Sequence, residues 1–181
     1  FVTAGGPPPA ACIEKLESEL GWEFIQIYVL TETAPMITIS TPDVNSAKDD
    51  YPRRARAGVE VIGTDIQVLD DNGTPVPKDN ATIGEVCARS NVVLKGYWLQ
   101  PEETDAAIHG GYFHSGDLAV WDETGSIHIV DRKKDVIISG GENISSPEVE
   151  DALYKHPAVL GCAVIGVPGG FEPVATSKPY Y

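Results

Sequence analysis

Tyr112-Phe113-His114-Ser115-Gly116-Asp117-Leu118, followed by Ile129-Val130-Asp131-Arg132-Lys133-Lys134-Asp135, is the densest chemical signal in the chain. Leu118 to Trp121, a turn at Glu123-Thr124-Gly125, and Ser126 to Val130 predict a β-hairpin. Gly116-Asp117 places a carboxylate at the mouth of its first strand. A carboxylate there can accept hydrogen bonds from both hydroxyls of a ribose. Arg132, at the end of the second strand, can reach the same sugar or its phosphate. Taken singly, Asp117 reads more readily as a turn residue, and Arg132 as a solvated charge.

Working outward, the region from Gly58 to Asp131 is a series of short strands separated by turn signals. Ile66-Gln67-Val68-Leu69 runs into Asp71-Asn72-Gly73, where Asn-Gly supplies positive φ. Gly84 to Arg89 alternates, and Pro101 to Ile108 predicts a short helix. This region predicts a small β-barrel or β-roll. Upstream, residues 1–4 read as a strand end. Pro7-Pro8-Pro9 leads into a helix with Cys12, Ile13, Leu16 and Leu20 on one face and Gly21 as its C-terminal cap. Phe24 to Tyr28 predicts a strand, so the opening is α/β in style, and residues 41–57 read as irregular. Downstream of the charged run, Ser145 or Ser146 caps a helix carrying Val149, Ala152 and Leu153. Val159 to Ile165 predicts a strand.

Composition bounds the partners. The 181 residues carry 13 Lys and Arg against 27 Asp and Glu, a formal charge of −14. No basic cluster stands out beyond Arg132-Lys133-Lys134, so a nucleic-acid partner is not expected. A nucleotide remains open, because its site is built locally from backbone N–H groups, one or two cations and a metal. No apolar run approaches the roughly 20 residues of a membrane helix. Cys12, Cys87 and Cys162 show no metal-binding spacing and read as buried, reduced thiols of a cytoplasmic protein. The N-terminal residues read as mid-strand, which predicts that the sequence starts inside a domain.

Three further segments tie these signals together. Tyr28-Val29-Leu30-Thr31-Glu32-Thr33, Gly84-Glu85-Val86 with Gly96-Tyr97-Trp98, and Ile138-Ser139-Gly140-Gly141-Glu142-Asn143-Ile144-Ser145-Ser146 follow one another in order. In this order and spacing, residues 1 to about 168 resemble the adenylate-forming, AMP-binding superfamily in its acyl-CoA ligase branch. The resemblance implies an α/β part over 1–45, a small β-barrel over 58–131, a hinge at 132–135 and the start of a small α+β lid domain over 136–181. It implies an ATP-dependent carboxylic acid:CoA ligase working through an acyl-adenylate, with ATP or AMP, Mg²⁺, coenzyme A and a small-molecule carboxylic acid as partners.

Position by position, Gly5, Gly6 and Pro7 match the turn on which adenine packs, and Tyr28 the aromatic residue that stacks on it. Thr31 matches the α-phosphate contact, and Glu32 the Mg²⁺ carboxylate. Asp117 and Arg132 match the ribose contacts, with Ile129 beside them at the nucleotide. Lys134 matches the hinge, Gly140 and Gly141 the coenzyme A tunnel, and Asn143 a polar position near the nucleotide.

There are departures. Val29 stands where the motif has glycine beside the acyl pocket, which predicts either a narrowed pocket or a strained backbone. The family's lysine-bearing phosphate loop and its catalytic lysine have no counterpart in the sequence, and residues 169–181 follow the family only loosely. The 181 residues alone are therefore expected to be inactive as a ligase. A nucleotide-binding module or a fragment without catalysis stays open as an alternative.

Overall fold

The computed structural model describes residues 1–6, 8–42, 49–139, 142–154, 156 and 158–166. The chain divides into two compact units, Phe1–Ile129 and Val130–Tyr181.

In the first unit, β1 (Val2–Thr3) pairs in parallel with β2 (Ile25–Val29). Parallel neighbours need a crossover, and α1 (Ala10–Leu20) supplies it, ending at Gly21 with φ 65°. The buried stripe of α1 is narrower than its sequence suggests. Ile13 is fully buried, whereas Cys12 and Leu20 are exposed. Cys162 is half-buried, so only Cys87 fits the expected buried thiol, and none of the three is in a disulfide. β3 (Met36–Ser40) and β4 (Val59–Glu60) add antiparallel neighbours in the order β1-β2-β3-β4. Between them, in the stretch expected to be irregular, lies the one-turn helix α2 (Tyr51–Arg54). Asp50 caps it by accepting from the Arg53 N–H at 3.2 Å. The Arg54 guanidinium grips both carboxylate oxygens of Glu17 and donates to Phe24 O at 3.0 Å, fastening α2 to α1.

The second sheet holds β5 (Thr64–Leu69), β6 (Gly84–Ser90), β7 (Ile108–His109), β8 (Tyr112–Trp121) and β9 (Ile127–Arg132). Its order is β5-β6-β8-β7, with β9 also on β8, and α3 (Pro101–Ala107) precedes β7. This curled sheet is the expected β-roll. Alternation sends Val86 and Ala88 of β6 inward, where they meet Ile66, Val68, Ala119, Trp121 and Ile127. Ile37 and Ala57 join the same cluster, so both sheets of the unit share one core. Gly58 makes that junction possible. It has φ 88°, its carbonyl accepts from the Ile127 N–H at 2.8 Å, and an added Cβ would lie 2.0 Å from Ile39 O.

In the second unit, β10 (Ile137–Ser139) and β11 (Glu142–Ile144) form an antiparallel hairpin ahead of α4 (Ser146–Tyr154). Ser145 caps α4 through the Glu148 N–H at 3.4 Å. Asp131 accepts from the Ser146 N–H at 3.0 Å, so the charged run also anchors this helix. The strand expected over Val159 to Ile165 does not form among the described residues. Its N–H groups turn to side chains instead of a ladder: Cys162 donates to the Tyr154 hydroxyl at 3.4 Å and Val164 to Glu150 Oε1 at 2.8 Å. No described helix is long and apolar enough to cross a membrane. Pro7, Gly140, Gly141 and residues 169–181 lie outside the described residues.

Candidate nucleotide site

β2 delivers the first site residues. Its pairing with β3 shifts register between Tyr28 and Val29, and the chain then enters a 3-10 turn at Thr31–Thr33. Thr33 is fully buried and holds that turn. Its hydroxyl lies 2.7 Å from Pro35 O and 3.1 Å from Leu30 O, and accepts from the Leu30 N–H at 3.3 Å. Thr31 is thereby exposed and Glu32 half-buried. Glu32 is tied from both ends. Its backbone carbonyl accepts from the Leu94 N–H at 2.8 Å, and Oε1 accepts from the Tyr97 hydroxyl at 3.1 Å. Burial, reinforced by the Glu32 carboxylate, pushes the Tyr97 phenol above its ordinary range. Tyr97 therefore stays a donor at neutral pH. A carboxylate held in place beside an exposed hydroxyl is the all-oxygen donor set that Mg²⁺ takes.

β8 delivers Asp117. The pairing Glu85↔Leu118 gives way to Cys87↔His114, so Ser115, Gly116 and Asp117 bulge opposite the single residue Val86. Bulges of this kind re-aim a side chain. Gly116 takes φ 75° and donates its N–H to Glu85 Oε1 at 2.9 Å, and Asp117 donates its N–H to Ser115 Oγ at 3.1 Å. The Asp117 side chain is turned inward, with the residue 5% exposed, and accepts from the Tyr28 hydroxyl at 2.5 Å. Two motifs separated by 89 positions thus meet in one hydrogen bond.

Gly5 and Gly6 form an exposed turn after β1. Gln26, 4% exposed, fastens it by donating to Gly6 O at 3.2 Å. A Cβ added at either glycine would meet nothing within 4 Å, so the surface there is open to a flat ring.

Comparison with known proteins gives the family. The family described as AMP-binding enzyme matches residues 1–98. The chain belongs to the AMP-binding enzyme family. An acetate–CoA ligase of Humulus lupulus is 43% identical, covering 98% of this chain and 33% of its own length. A feruloyl-CoA synthase of an Amycolatopsis species is 42% identical over 91% of this chain and 32% of its own. Among solved structures, the O-succinylbenzoate coenzyme A synthetase of Bacillus subtilis, in complex with ATP and magnesium ion, is 31% identical with a TM-score of 0.80, covering 92% of this chain and 33% of its own. The chain thus spans about a third of the length of these AMP-binding relatives.

Within this chain, the first unit brings together Tyr28 with Asp117 and places Glu32 beside Tyr97. Ile129 is partly buried and packs against the same core as Tyr28 and Leu30. Val29 ends β2 at the register shift and is not among the positive-φ residues, which removes the strained-backbone alternative. In the second unit, Arg132 is exposed at the end of β9, Lys134 is exposed in the turn that follows, and Asn143 faces Ile138 across the hairpin. Three polar residues of the first unit received no role from the sequence. Tyr97 and Glu85 lay inside quoted motifs, and the signal was their polarity at positions where a neighbouring backbone or carboxylate needs a partner. Thr33 gave no such signal.

Proposed function

We propose that this chain carries the adenosine- and Mg²⁺-facing part of an ATP-dependent carboxylic acid:CoA ligase working through an acyl-adenylate. The reading is supported most by the buried Tyr28–Asp117 hydrogen bond, which joins two family motifs where a nucleoside would sit. Gly5, Gly6 and Pro7 pack against adenine, with the Tyr28 ring on its other side. Asp117 accepts from the ribose hydroxyls, Arg132 donates to the same sugar, and Ile129 gives an apolar wall. The Thr31 hydroxyl meets the α-phosphate. Glu32, oriented by Tyr97, holds Mg²⁺, which when bound offsets the phosphate charge as the acid's carboxylate attacks. Attack on the α-phosphorus expels pyrophosphate. The thiol of coenzyme A then displaces AMP and forms the thioester. Lys134 is the pivot between the two steps, Gly140 and Gly141 line the path of the thiol, and Asn143 approaches the nucleotide in the second.

Val29 narrows the acyl pocket by filling space that glycine leaves open, favouring short or slender acids. The reading places the enzyme in the cytoplasm, with residues 1–131 in the large domain, 132–135 as hinge and 136–181 in the lid.

Titration with AMP and with 2′,3′-dideoxy-AMP tests the central assignment. Loss of the ribose hydroxyls removes hydrogen bonds to a carboxylate, each contributing about 1.5–3 kcal/mol. The dideoxy nucleotide should therefore bind at least roughly tenfold more weakly, and Asp117→Ala should shrink that difference to what Arg132 still contributes. Equal affinity for both nucleotides in the unaltered chain would refute the assignment.

A further inference from the structure

Cys87 is fully buried, yet it stands outside the hydrophobic cluster that holds Val86 and Ala88. Its neighbours Val86 and Ala88 point into that core, so alternation sends Cys87 and Glu85 to the opposite face of β6. On that face Cys87 stands directly across from His114 of β8. Its Sγ lies 3.3 Å from His114 Nδ1, and Glu85 Oε2 lies 3.2 Å from the same nitrogen. The ligand atoms of all three residues fall within 4.8 Å of one another.

With Nδ1 protonated, its N–H serves the carboxylate and, more weakly, the sulfur; with Nδ1 bare, it serves the thiol and meets the carboxylate as an acceptor facing an acceptor. A cation among the three engages all of them at once. Tetrahedral zinc, at about 2.3 Å from sulfur and about 2.0–2.1 Å from nitrogen or oxygen, sets its ligand atoms about 3.4–3.6 Å apart. The two separations from His114 Nδ1, to sulfur and to the carboxylate oxygen, are within a few tenths of an ångström of that. One thiolate, one imidazole and one carboxylate make a borderline donor set that suits Zn²⁺ and not Mg²⁺ or Ca²⁺. The outer support is present as well: Glu85 Oε1 accepts from the Gly116 N–H at 2.9 Å, leaving Oε2 aimed at the cluster.

We propose that Glu85, Cys87 and His114 form a three-ligand site for a zinc-type divalent cation that clamps β6 to β8 beside the Asp117 bulge. Binding exchanges the Cys87 S–H bond for a sulfur–metal bond and releases the proton to solvent, and water completes the coordination. Through Glu85 and Gly116 the ion stiffens the bulge that carries Asp117. No local sequence spacing reveals such a site, because its ligands meet only through strand register.

The test is titration of the chelator-treated full chain with Co²⁺, followed by displacement with Zn²⁺. It contains no nucleotide, so its outcome is separate from that of the nucleotide reading. One equivalent of Co²⁺ should give tetrahedral visible bands and a thiolate-to-cobalt charge-transfer band. Both should vanish as Zn²⁺ is added, and affinity should rise with pH as the thiol deprotonates. Cys87→Ala should abolish the charge-transfer band. His114→Gln and Glu85→Gln should weaken binding by tenfold or more, with circular dichroism confirming the fold of each. His114→Gln decides the matter if Cys87→Ala does not fold. Cys12→Ala and Cys162→Ala should change nothing. Absence of the charge-transfer band, undiminished affinity in folded His114→Gln, or a band that follows Cys12 or Cys162 would overturn the proposal.

Discussion

Tyr28→Phe isolates the contact on which the nucleotide site rests. The substitution keeps the ring and deletes one oxygen. In the folded chain that oxygen donates at 2.5 Å to an Asp117 carboxylate that is 5% exposed. A hydrogen bond to a charged group contributes about 1.5–3 kcal/mol, and a buried acceptor that loses its donor also bears its desolvation cost. Bulk water reaches Asp117 poorly and cannot replace the phenol in full. The expected loss is therefore about 1.5–3 kcal/mol, or roughly 3–12 °C in melting midpoint at about 2–4 °C per kcal/mol for a chain of this size. The informative measurement repeats the melt at saturating AMP. If the ribose hydroxyls donate to the same carboxylate, AMP should add more stability to Tyr28→Phe than to Asp117→Ala at the same AMP concentration. Differential scanning calorimetry with and without AMP reads both effects. A Tyr28→Phe variant within 0.5 kcal/mol of the parent would refute the premise that Tyr28 supports Asp117.

Other consequences follow from individual contacts. Gly116→Ala meets no atom within 4 Å, so its cost is confined to forcing a side chain into φ 75°, about 1–2 kcal/mol; urea unfolding checks this, and a larger loss would mean that the bulge is packed. Tyr97→Phe should weaken Mg²⁺-dependent ATP binding and leave AMP binding unchanged, because Tyr97 supports Glu32 alone; isothermal titration of both nucleotides decides it. The Glu17 carboxyl is held below its ordinary value of 4.5, chiefly by its hydrogen bond with Arg54. A depressed carboxyl contributes stability above its unfolded pKa, and that contribution is lost as pH falls through the folded value. Melting midpoints of the parent should therefore drop more steeply below about pH 4.5 than those of Glu17→Gln, and parallel curves would count against the pair. Val29→Gly should broaden the range of acids activated, read as acid-dependent pyrophosphate–ATP exchange; an unchanged acid profile would remove Val29 from the pocket.

The fold was legible wherever short-range chemistry decides it. Gly21 ends α1 because only a residue tolerant of φ 65° closes the helix there. The hairpin at Glu123-Thr124-Gly125 follows from turn residues between two apolar runs, and Asp122 accepts from the Thr124 and Ser126 N–H groups to fix it. β3 escaped because its polar residues are inside. Thr38 is fully buried and donates to Ala57 O at 2.7 Å, and Ser40 donates to Arg54 O at 3.1 Å. Buried hydroxyls with backbone partners blur the alternation that betrays a strand. The opposite error arose at Val159 to Ile165, where apolar residues suggest a strand but Leu160 and Ile165 are largely exposed. Apolar content is necessary for a buried strand; a ladder partner is what makes one.

The site shows the same division between local and distant information, with a sharper consequence. A motif names the residue that touches a ligand, because that chemistry constrains its type. It says nothing of the residue that holds the first one still. Glu32 and Asp117 were readable in the sequence as oxygen donors, whereas Tyr97, Thr33 and the supporting role of Glu85 were not. Each of these acts through hydrogen bonds to a motif residue or its turn, and two of the three reach across more than 30 positions, 65 for Tyr97 and 31 for Glu85. Strand register supplies that reach. Cys87 opposes His114, one residue is skipped, and Glu85 is thereby set beneath Gly116. A one-residue slip of β6 against β8 would turn Glu85 towards the core and leave the Gly116 N–H without its carboxylate. Placement of Asp117 therefore depends on the packing of Val86 and Ala88 on the far side of the same strand, and core substitutions there should disturb nucleotide affinity before they unfold the chain.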